Sequence, residues 1–344
     1  MTMAQRIKLT TPQAETEISV GENLSAGLRH LEPLPVLLVD ERVMLLHGKL
    51  FDTFPAVLIP SGEQHKTLQT VERIYRELVR LEVDRSSLLV GIGGGVATDV
   101  AGFAASTYMR GVRFGFIAST LLGQVDASIG GKNGVDLDGY KNMVGVIRQP
   151  AFVWCDLSLL TTLARREYVT GIAEVIKYGA IRSREFLGYL EDRIENLLTL
   201  DNQVLTEVVT RSVSVKVDIV QQDEFESGTR RLLNFGHTLG HAVEREYGVL
   251  HGEAVALGMV LAARLSHALG FLPADGVSLL ESLIARSGLP VDRKIDPGQI
   301  YEHIRKDKKK SGDIIHFVLL DRPGNAFIRE IPLDELKQML HDLC

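Results

Sequence analysis

The chain has 344 residues, of which 45% are hydrophobic and 24% charged, and its formal net charge is −6. This length favours two domains, and the composition is that of an ordinary globular protein. The acidic balance argues against a nucleic-acid partner, so local lysines and arginines must meet any anionic ligand. The two cysteines, Cys155 and Cys344, exclude a disulfide framework and favour the cytoplasm. No apolar run is long enough to span a bilayer, and the N-terminal residues lack a signal-peptide core, so we expect no membrane association.

Short apolar runs alternate with helical patterns through the first half of the chain. The runs cover residues 36–39, 57–59, 88–92 and 114–117, and turn residues follow each of them. Residues 68–81 place apolar side chains at three-to-four spacing opposite charged ones, which predicts an amphipathic helix. The alternation predicts a mainly parallel sheet with helices on both faces.

Glycines mark the turn that follows the third apolar run, at Gly91 and at 93–95. Glycine at a strand-to-helix turn lets the backbone approach a phosphate, and a helix N-terminus offers free N–H groups. The match to the dinucleotide fingerprint is imperfect, because Val96 stands where the third glycine belongs. A tight turn without a ligand is the alternative. The loop 61–66 follows another strand at the same expected edge, and its alternative is a solvated loop that caps the next helix.

Residues 119–145 combine hydroxyl side chains, glycines and a few charges. Asp126, Lys132 and Lys141 lie there among small residues, and Arg110 lies just upstream. A solubilising surface would alternate charge sign, so this composition favours a cationic pocket for an oxyanion.

Helical periods replace the strand signals after Asp156, and we place a domain boundary near 155. Three of the ten histidines, His237, His241 and His251, fall close together, and the first two share a helix face. Glu174 lies on an apolar helical face three residues before Lys177. Two histidines and one carboxylate are a common catalytic zinc set, so Glu174 is a candidate third ligand. The alternatives are histidines that satisfy a helix pair and a surface ion pair at Glu174. Residues 314–320 and 326–331 predict a hairpin, and 333–343 a terminal helix.

Taken in order, these segments resemble the 3-dehydroquinate synthases over nearly the whole chain. The motifs that carry the resemblance are 60–67, 93–99, 101–111, 120–134, 141–143, 173–179, 233–241, 251–255 and 307–309. The resemblance implies a Rossmann-like, NAD-binding α/β domain over residues 1–155. It also implies a mostly α-helical, metal- and substrate-binding domain over 156–344, with the active site in the cleft between them. A cytoplasmic homodimer is implied as well.

The resemblance also implies roles for individual residues. Glu174, His237 and His251 would bind zinc or cobalt, and His241 would stay unligated as a proton-handling residue. The implied NAD contacts are Asp40, Ser61, Gly62, Glu63, Gln64, His65, Lys66, Gly95, Val96, Ala97, Thr98, Asp99, Ser119, Thr120, Lys132, Lys141, Leu159, Leu160, Thr161 and Thr162. The implied substrate and catalytic contacts are Arg110, Asp126, Lys132, Asn142, Lys177, Lys216, Arg230, Asn234 and Lys309. Arg42 and Thr98 depart from the family pattern, and we expect them to alter how NAD is held.

The implied reaction converts 3-deoxy-D-arabino-heptulosonate 7-phosphate, an anionic sugar phosphate, into 3-dehydroquinate and phosphate. NAD takes up a hydride and returns it within one turnover, and phosphate elimination, ring opening and an aldol closure complete the sequence. One alternative is a related sugar-phosphate cyclase whose substrate lacks a carboxylate. Lys216 and Arg230 argue against it, because unpaired buried cations would be costly without that carboxylate. A metal-dependent polyol dehydrogenase is the other alternative, and it would accumulate NADH.

Overall fold

The computed structural model describes residues 4–308 and 314–343. The chain forms two compact units, Met1–Tyr168 with Leu205–Phe225, and Val169–Val204 with Glu226–Cys344. Residues 157–168 and the helical segment 205–225 thus pack with the first unit, whereas the sequence placed a single boundary near 155. Among the described residues, no helix combines the length and apolarity needed to cross a membrane.

The first unit is built on a mainly parallel sheet. The strands of this unit, seven in the sheet and two outside it, are β1 (Gln5–Thr10), β2 (Glu15–Gly21), β3 (Val36–Asp40), β4 (Ala56–Ile59), β5 (Leu88–Gly93), β6 (Arg113–Ala118), β7 (Lys132–Leu137), β8 (Tyr140–Ile147) and β9 (Phe152–Asp156). The sheet order is β1-β2-β9-β6-β5-β3-β4, and every neighbouring pair except β1 and β2 is parallel. Strands β7 and β8 form a separate antiparallel hairpin. The four predicted strands correspond to β3, β4, β5 and β6, which confirms the predicted fold class.

Three helices of the first unit follow strands β3, β4 and β5: α1 (Glu41–His47), α2 (Leu68–Arg80) and α3 (Gly95–Thr107). The amphipathic pattern of α2 buries Val71, Ile74 and Leu78, and the Thr67 hydroxyl caps its N-terminus. Strand β5 is buried along its whole length, as expected for a central parallel strand. The chain runs from β3 outward to β4 and then back past β3 to β5, so the sheet has a topological switch point between β3 and β5.

Helices dominate the rest of the chain: α4 (Arg165–Arg182), α5 (Arg184–Leu198), α6 (Asn202–Gln222), α7 (His237–Tyr247), α8 (His251–Ala268), α9 (Ala274–Arg286), α10 (Pro297–Lys308) and α11 (Leu333–Leu343). The predicted hairpin is present as β10 (Ile314–Arg322) and β11 (Asn325–Pro332), and the predicted terminal helix is α11. Helix α8 is apolar on nearly all sides and is buried accordingly.

Helices α7 and α8 cross closely because small residues line their contact. A side-chain carbon added at Gly258 would lie 1.9 Å from the carbonyl oxygen of Gly236. Because that oxygen belongs to the backbone, only a shift of one helix could remove the clash. Across these two helices, the ring of His237 at the start of α7 lies 5.4 Å from the ring of His251 at the start of α8.

Candidate active site

A cleft of about 230 Å³ opens in the first unit at the carboxyl edge of the parallel sheet. The strands β3, β4, β5 and β6 all end at this edge, and the cleft includes the switch point between β3 and β5. Its lining residues are Asp40, Arg42, Val43, Leu46, His47, Ser61, Gly62, Gly94, Gly95, Val96, Ala97, Ser119, Thr120, Leu159, Thr162, Leu163 and Glu167.

The floor of the cleft is the glycine turn between β5 and α3. A side-chain carbon at Gly93 would lie 2.5 Å from the Ala97 side chain and 3.0 Å from that of Asp40, so only glycine lets the strand end so close to both. Helix α3 has no side-chain cap, and the amide of Thr98 is the first to bond within the helix, to the carbonyl oxygen of Gly94 at 3.0 Å. The preceding amides at the helix N-terminus are therefore available to an anion such as a pyrophosphate.

Asp40 ends β3 and caps α1. Its Oδ1 atom accepts hydrogen bonds from the backbone of Arg42 at 2.9 Å, from the backbone of Val43 at 3.4 Å and from the Ser61 hydroxyl at 2.6 Å. In the described part of the chain every hydrogen bond to this carboxylate goes to Oδ1. The other oxygen remains for a ligand, and ribose hydroxyls are the partners that an acid at such a position takes in doubly wound nucleotide folds.

The sequence reasoning found only part of the side walls of the cleft, at Arg42 and Thr162. Arg42 Nη1 lies 3.3 Å from Glu167 Oε1, and His47 Nε2 lies 2.7 Å from the Thr162 hydroxyl. Burial lowers the pKa of His47 below its usual value, although the negative charge of Asp156 acts in the opposite direction, so this ring is neutral near pH 7. No motif marks His47 or Glu167, because only the rotation of α1 and of the first turn of α4 decides which side chains face the cleft.

Ten of the residues that the resemblance implied as NAD contacts do not line this cleft: Glu63, Gln64, His65, Lys66, Thr98, Asp99, Lys132, Lys141, Leu160 and Thr161. Thr98 is buried, and its hydroxyl bonds the carbonyl oxygen of Gly95 at 3.0 Å. Lys141 Nζ lies 3.5 Å from Glu63 Oε1 at an exposed position.

Lys66 is the centre of a separate polar network in the first unit. Its buried Nζ donates to Asp99 Oδ2 at 2.6 Å and to Asn142 Oδ1 at 2.5 Å. The backbone of Asn142 adopts a left-handed conformation (φ 53°) and donates to Asp136 Oδ1 at 2.8 Å. Burial raises the pKa of Asp99 to about 6, although the nearby ammonium of Lys66 opposes that shift. The network joins a residue implied for the cofactor to one implied for the substrate.

Other implied substrate residues of the first unit come from helix α6, from the start of strand β7 and from a short 3-10 segment. Lys216 is buried, forms an ion pair with the Asp126 carboxylate and donates to the Asp126 carbonyl oxygen at 2.6 Å. The expectation that Lys216 is an unpaired buried cation is therefore wrong, because the π-helical turn 123–127 presents Asp126 to it. Lys132 begins β7 and is exposed. Arg110 is also exposed and has a left-handed backbone (φ 66°), a strained state that often marks functional sites.

The second unit brings Glu174, His237 and His251 together from three helices. Glu174 is fully buried on α4, and its Oε1 lies 3.4 Å from His237 Nε2 and 3.6 Å from His251 Nε2. The three ligand atoms lie within 4.8 Å of one another. In a tetrahedral zinc site with bonds of roughly 2.0–2.1 Å, adjacent ligand atoms lie about 3.3–3.4 Å apart, so the spacing suits one cation.

The two histidine rings are oriented by contacts on their far sides. His237 Nδ1 lies 3.1 Å from the carbonyl oxygen of Phe235, and His251 Nδ1 lies 3.1 Å from Glu244 Oε2. In the neutral form that binds a metal, a proton on each Nδ1 would satisfy these acceptors and leave the Nε2 lone pair directed at the Glu174 side. Metal-binding histidines show this arrangement, in which the second nitrogen bonds a carbonyl or carboxylate. Sequence reasoning missed Glu244, which no local motif connects to His251.

Charge is concentrated around Glu174. Burial alone raises the pKa of this carboxyl, but the ammonium of Lys177 and the ring of His237 outweigh burial and hold the pKa well below its usual range. Burial also disfavours the charged form of His251, yet hydrogen bonds to Glu174 and Glu244 raise its pKa to about 9. Lys177 is fully buried, pairs with Glu174 and lies over the Tyr178 ring.

Among the remaining implied residues of the second unit, His241 is the one with described distances to the cluster. The exposed ring of His241 lies 5.3 Å from that of His237 and 5.9 Å from that of His251. It also forms a second candidate group with Glu244 and His251. Asn234 Nδ2 donates to Glu226 Oε1 at 2.7 Å, and Arg230 is buried in the same 3-10 segment. Lys309 lies outside the described residues.

Comparison with known proteins adds to this geometry. A family model described as the 3-dehydroquinate synthase N-terminal domain matches residues 56–170, and one described as its C-terminal domain matches residues 171–310. The chain belongs to the 3-dehydroquinate synthase family. Members of this family are also similar over most of their length. The 3-dehydroquinate synthase of Neisseria meningitidis serogroup B is 46% identical over 338 residues, covering 93% of this chain and 94% of that protein. That of Symbiobacterium thermophilum is 42% identical over 331 residues, covering 90% and 92%.

A solved structure supports the same fold. The 2-epi-5-epi-valiolone synthase ValA of Streptomyces hygroscopicus subsp. jinggangensis, with NAD+ and Zn2+ bound, superimposes with a TM-score of 0.88 at 26% identity. The match covers 97% of this chain and 98% of that one.

In this member of the 3-dehydroquinate synthase family, the donor set itself fits a divalent cation. The Glu174 carboxylate is buried; Lys177 pairs with its Oε2, while its Oε1 faces the Nε2 atoms of His237 and His251. A divalent cation bound by Oε1 and the two rings would compensate this buried negative charge further. Two imidazoles and one carboxylate are ligands that suit zinc and leave a fourth position open.

Proposed function

We propose that this protein is a 3-dehydroquinate synthase, which converts 3-deoxy-D-arabino-heptulosonate 7-phosphate into 3-dehydroquinate and phosphate. The observation that carries this function is the convergence of Glu174, His237 and His251 in a chain that belongs to the family. Each residue comes from a different helix, and each ring is oriented by its own partner. Such a cluster is costly to build without a ligand, which supports a catalytic cation over a structural coincidence.

NAD occupies the cleft of the first unit in this proposal. The free amides at the start of α3 suit its pyrophosphate, and Asp40 with Ser61 suits a ribose. Thr120, Leu159 and Thr162 line the same cleft. The ValA structure, with NAD+ bound, supports the assignment because it shares this fold. The cofactor site therefore belongs to the first unit, at the edge where open parallel sheets bind ligands.

Glu174, His237 and His251 hold zinc or cobalt, one ion per chain. When bound, NAD supplies a reversible hydride acceptor and the metal stabilises negative charge on a substrate oxygen. Phe235 and Glu244 fix the orientation of the two rings. Lys177 balances the charge of Glu174, and in the same position it can hold an anionic group of the substrate. His241 has a ring 5.3 Å from His237 and takes the role of a proton carrier.

Cationic and amide side chains bind the phosphate and carboxylate of the substrate. The set is Arg110, Lys132, Asn142, Lys177, Lys216, Arg230, Asn234 and Lys309. Two members of this set contact residues outside it. Asn142 Oδ1 accepts a hydrogen bond from Lys66 Nζ, and Lys216 Nζ donates to the Asp126 carbonyl oxygen. Most of what these residues do is to fix the orientation of the substrate, which lowers the barrier by removing freedom before the chemical steps. We assign the protein to the cytoplasm, as a homodimer.

One experiment tests this function against both rival activities. Purified protein is incubated with the heptulosonate phosphate and NAD+ at one hundredth of the substrate concentration, while phosphate release and absorbance of NADH are followed. We expect phosphate release to exceed the NAD+ present many times over, without accumulation of NADH. Release that stops at one equivalent of NAD+, with NADH accumulating, identifies a dehydrogenase instead.

The same assay discriminates the related cyclases. Because Lys216 is paired with Asp126, its burial no longer argues for a substrate carboxylate, and direct comparison of substrates must decide. Sedoheptulose 7-phosphate and glucose 6-phosphate lack the carboxylate and serve as competing substrates. Turnover of either at a kcat/KM above that of the heptulosonate phosphate overturns the proposed substrate.

A further inference from the structure

An ion pair lies along the wall of the cofactor cleft. Arg42 is the second residue of α1, and Glu167 lies in the first turn of α4. Arg42 Nη1 and Glu167 Oε1 are 3.3 Å apart, both residues line the cleft, and their side chains are 53% and 45% exposed. A guanidinium paired in this way must leave Glu167 before it can bind another anion, and the cost is modest because the pair is solvated.

The main chain fixes Arg42 beside Asp40. The Arg42 amide donates to Asp40 Oδ1 at 2.9 Å and to the Ser61 hydroxyl at 3.2 Å. An acid at the end of such a strand binds the ribose hydroxyls of NAD, and in the same fold an arginine near this position accommodates the 2′-phosphate of NADP. The cleft therefore carries both elements, an acid that favours the free ribose and an arginine that suits the phosphate.

We propose that Glu167 sets the cofactor specificity of this cleft by holding Arg42, so that the cleft binds NAD and excludes its 2′-phosphorylated counterpart. The inference rests on the proposed function and deepens it by naming the residue that selects the cofactor. Among the lining residues that the structure describes, Arg42 is the one lysine or arginine, and the acids are Asp40 and Glu167. The carboxylates of Asp40 and Glu167 repel a phosphate, and Glu167 also pairs with Arg42, the side chain best suited to bind that phosphate.

The substitution Glu167→Gln tests both effects, because it removes one negative charge and releases Arg42. The measured quantity is the ratio of the Kd for NADP+ to the Kd for NAD+, obtained by isothermal titration calorimetry on the full chain. We expect the ratio to fall by about tenfold in Glu167→Gln, since a freed arginine gains a charge-assisted hydrogen bond to the phosphate. In the double variant Arg42→Ala with Glu167→Gln, most of that fall disappears.

Glu41→Gln is the matched control. Glu41 is an exposed acid next to Arg42 on the same helix but does not line the cleft, so its removal should leave the ratio unchanged. An unchanged ratio in Glu167→Gln overturns the inference, and so does an equal fall in the double variant, which would place the effect in net charge rather than in Arg42. If wild-type protein binds neither nucleotide, the cofactor assignment fails, and the specificity role of Glu167 fails with it. The exposure of Glu167 predicts a folded variant, which thermal unfolding verifies.

Discussion

In the cofactor cleft, many of the groups that can face a ligand belong to the backbone and to small side chains, whereas in the metal cluster they are side chains of α4, α7 and α8. The cleft depends on the glycine turn 93–95 and on the free amides of α3. The cluster depends on Glu174, His237 and His251, each oriented by further residues. A backbone site tolerates many substitutions around it, because few side chains carry the binding. A side-chain site fails when one ligand is lost.

The two sites also differ in burial. Arg42 and Glu167 at the cleft are about half exposed, whereas the Glu174 side chain is completely buried. Solvent screens charge changes at the first site, and the interior amplifies them at the second. Substitutions that change charge should therefore have larger consequences near Glu174 than in the cleft.

The largest effect is expected from His251→Ala. Removal of this ligand should abolish measurable turnover. It should also lower zinc affinity by far more than the roughly 10- to 100-fold typical of residues that only orient a ligand, so little zinc stays bound. Zinc per chain after reconstitution and dialysis, measured by mass spectrometry, is the readout. His303→Ala is the control, because His303 also contacts a glutamate, Glu246 at 2.7 Å, away from the cluster. Full zinc content in His251→Ala would remove this residue from the metal site.

Asp99 should make the stability of the first unit depend on pH. Its pKa of about 6 lies above the unfolded value of 3.8, so the folded state binds the extra proton and loses stability as the pH rises from about 4 to above 6. A shift of this size corresponds to about 3 kcal/mol, and we expect about 2 kcal/mol because the side chain remains 19% exposed.

The comparison of wild type with Asp99→Asn isolates this contribution. The asparagine cannot titrate, so the free energy of unfolding of the variant relative to wild type should rise by about 2 kcal/mol between pH 4 and pH 7. Urea unfolding at a series of pH values measures the difference. Asp84→Asn is the control for a carboxyl that is exposed, bonded to Ser86 and Ser87, and shifted downward in pKa. A pH-independent difference for Asp99→Asn contradicts the elevated pKa of Asp99.

How far sequence reasoning reached also differs between the two sites. Strands β3, β4, β5 and β6 and helix α2 could be predicted, because apolar runs and amphipathic periods are local signals. The hairpin β7–β8 was missed, since glycine, asparagine and lysine give it little strand propensity. Strands β1, β2 and β9 were missed as well: the first two precede the runs that set the pattern, and β9 lies where the helical patterns begin.

At the site level, the glycine turn is contiguous in sequence and was visible from composition alone. The cluster was visible only in part, because the histidines are neighbours but Glu174 lies more than sixty residues earlier. Its grouping with them came from the resemblance and the common zinc ligand set, and the structure brings the three together. His47, Glu167 and Glu244 could not be found, and neither could the pairing of Arg42 with Glu167, because the rotation of a helix about its axis decides what each side chain faces.

Glu244 sharpens the comparison further, because it orients a ligand without belonging to the group of Glu174. Glu244→Gln keeps the size of the side chain but weakens its hydrogen bond to His251 Nδ1. We expect metal affinity to fall by about 10- to 100-fold, with the fold retained. Competition with a chelator of known affinity measures this change. Glu246→Gln on the same helix is matched to it, since Glu246 contacts His303 rather than His251. Equal affinities in the two variants would show that His251 needs no carboxylate to orient it.

The smallest chemical change is made in the cleft, where the backbone itself is the binding element and a single methyl group tests it. In Gly93→Ala the new carbon would lie 2.5 Å from the Ala97 side chain, so β5 and α3 must separate, which we expect to cost about 1–3 kcal/mol. The displacement also moves the α3 amides, so NAD affinity should fall while metal content does not. Gly48→Ala has ordinary space, 3.5 Å from Met44 Sδ, and a helical backbone, so it should be neutral or slightly stabilising. Both NAD affinity and metal content are measured in Gly93→Ala. Loss of metal in this variant would show that the cofactor cleft and the metal cluster depend on each other.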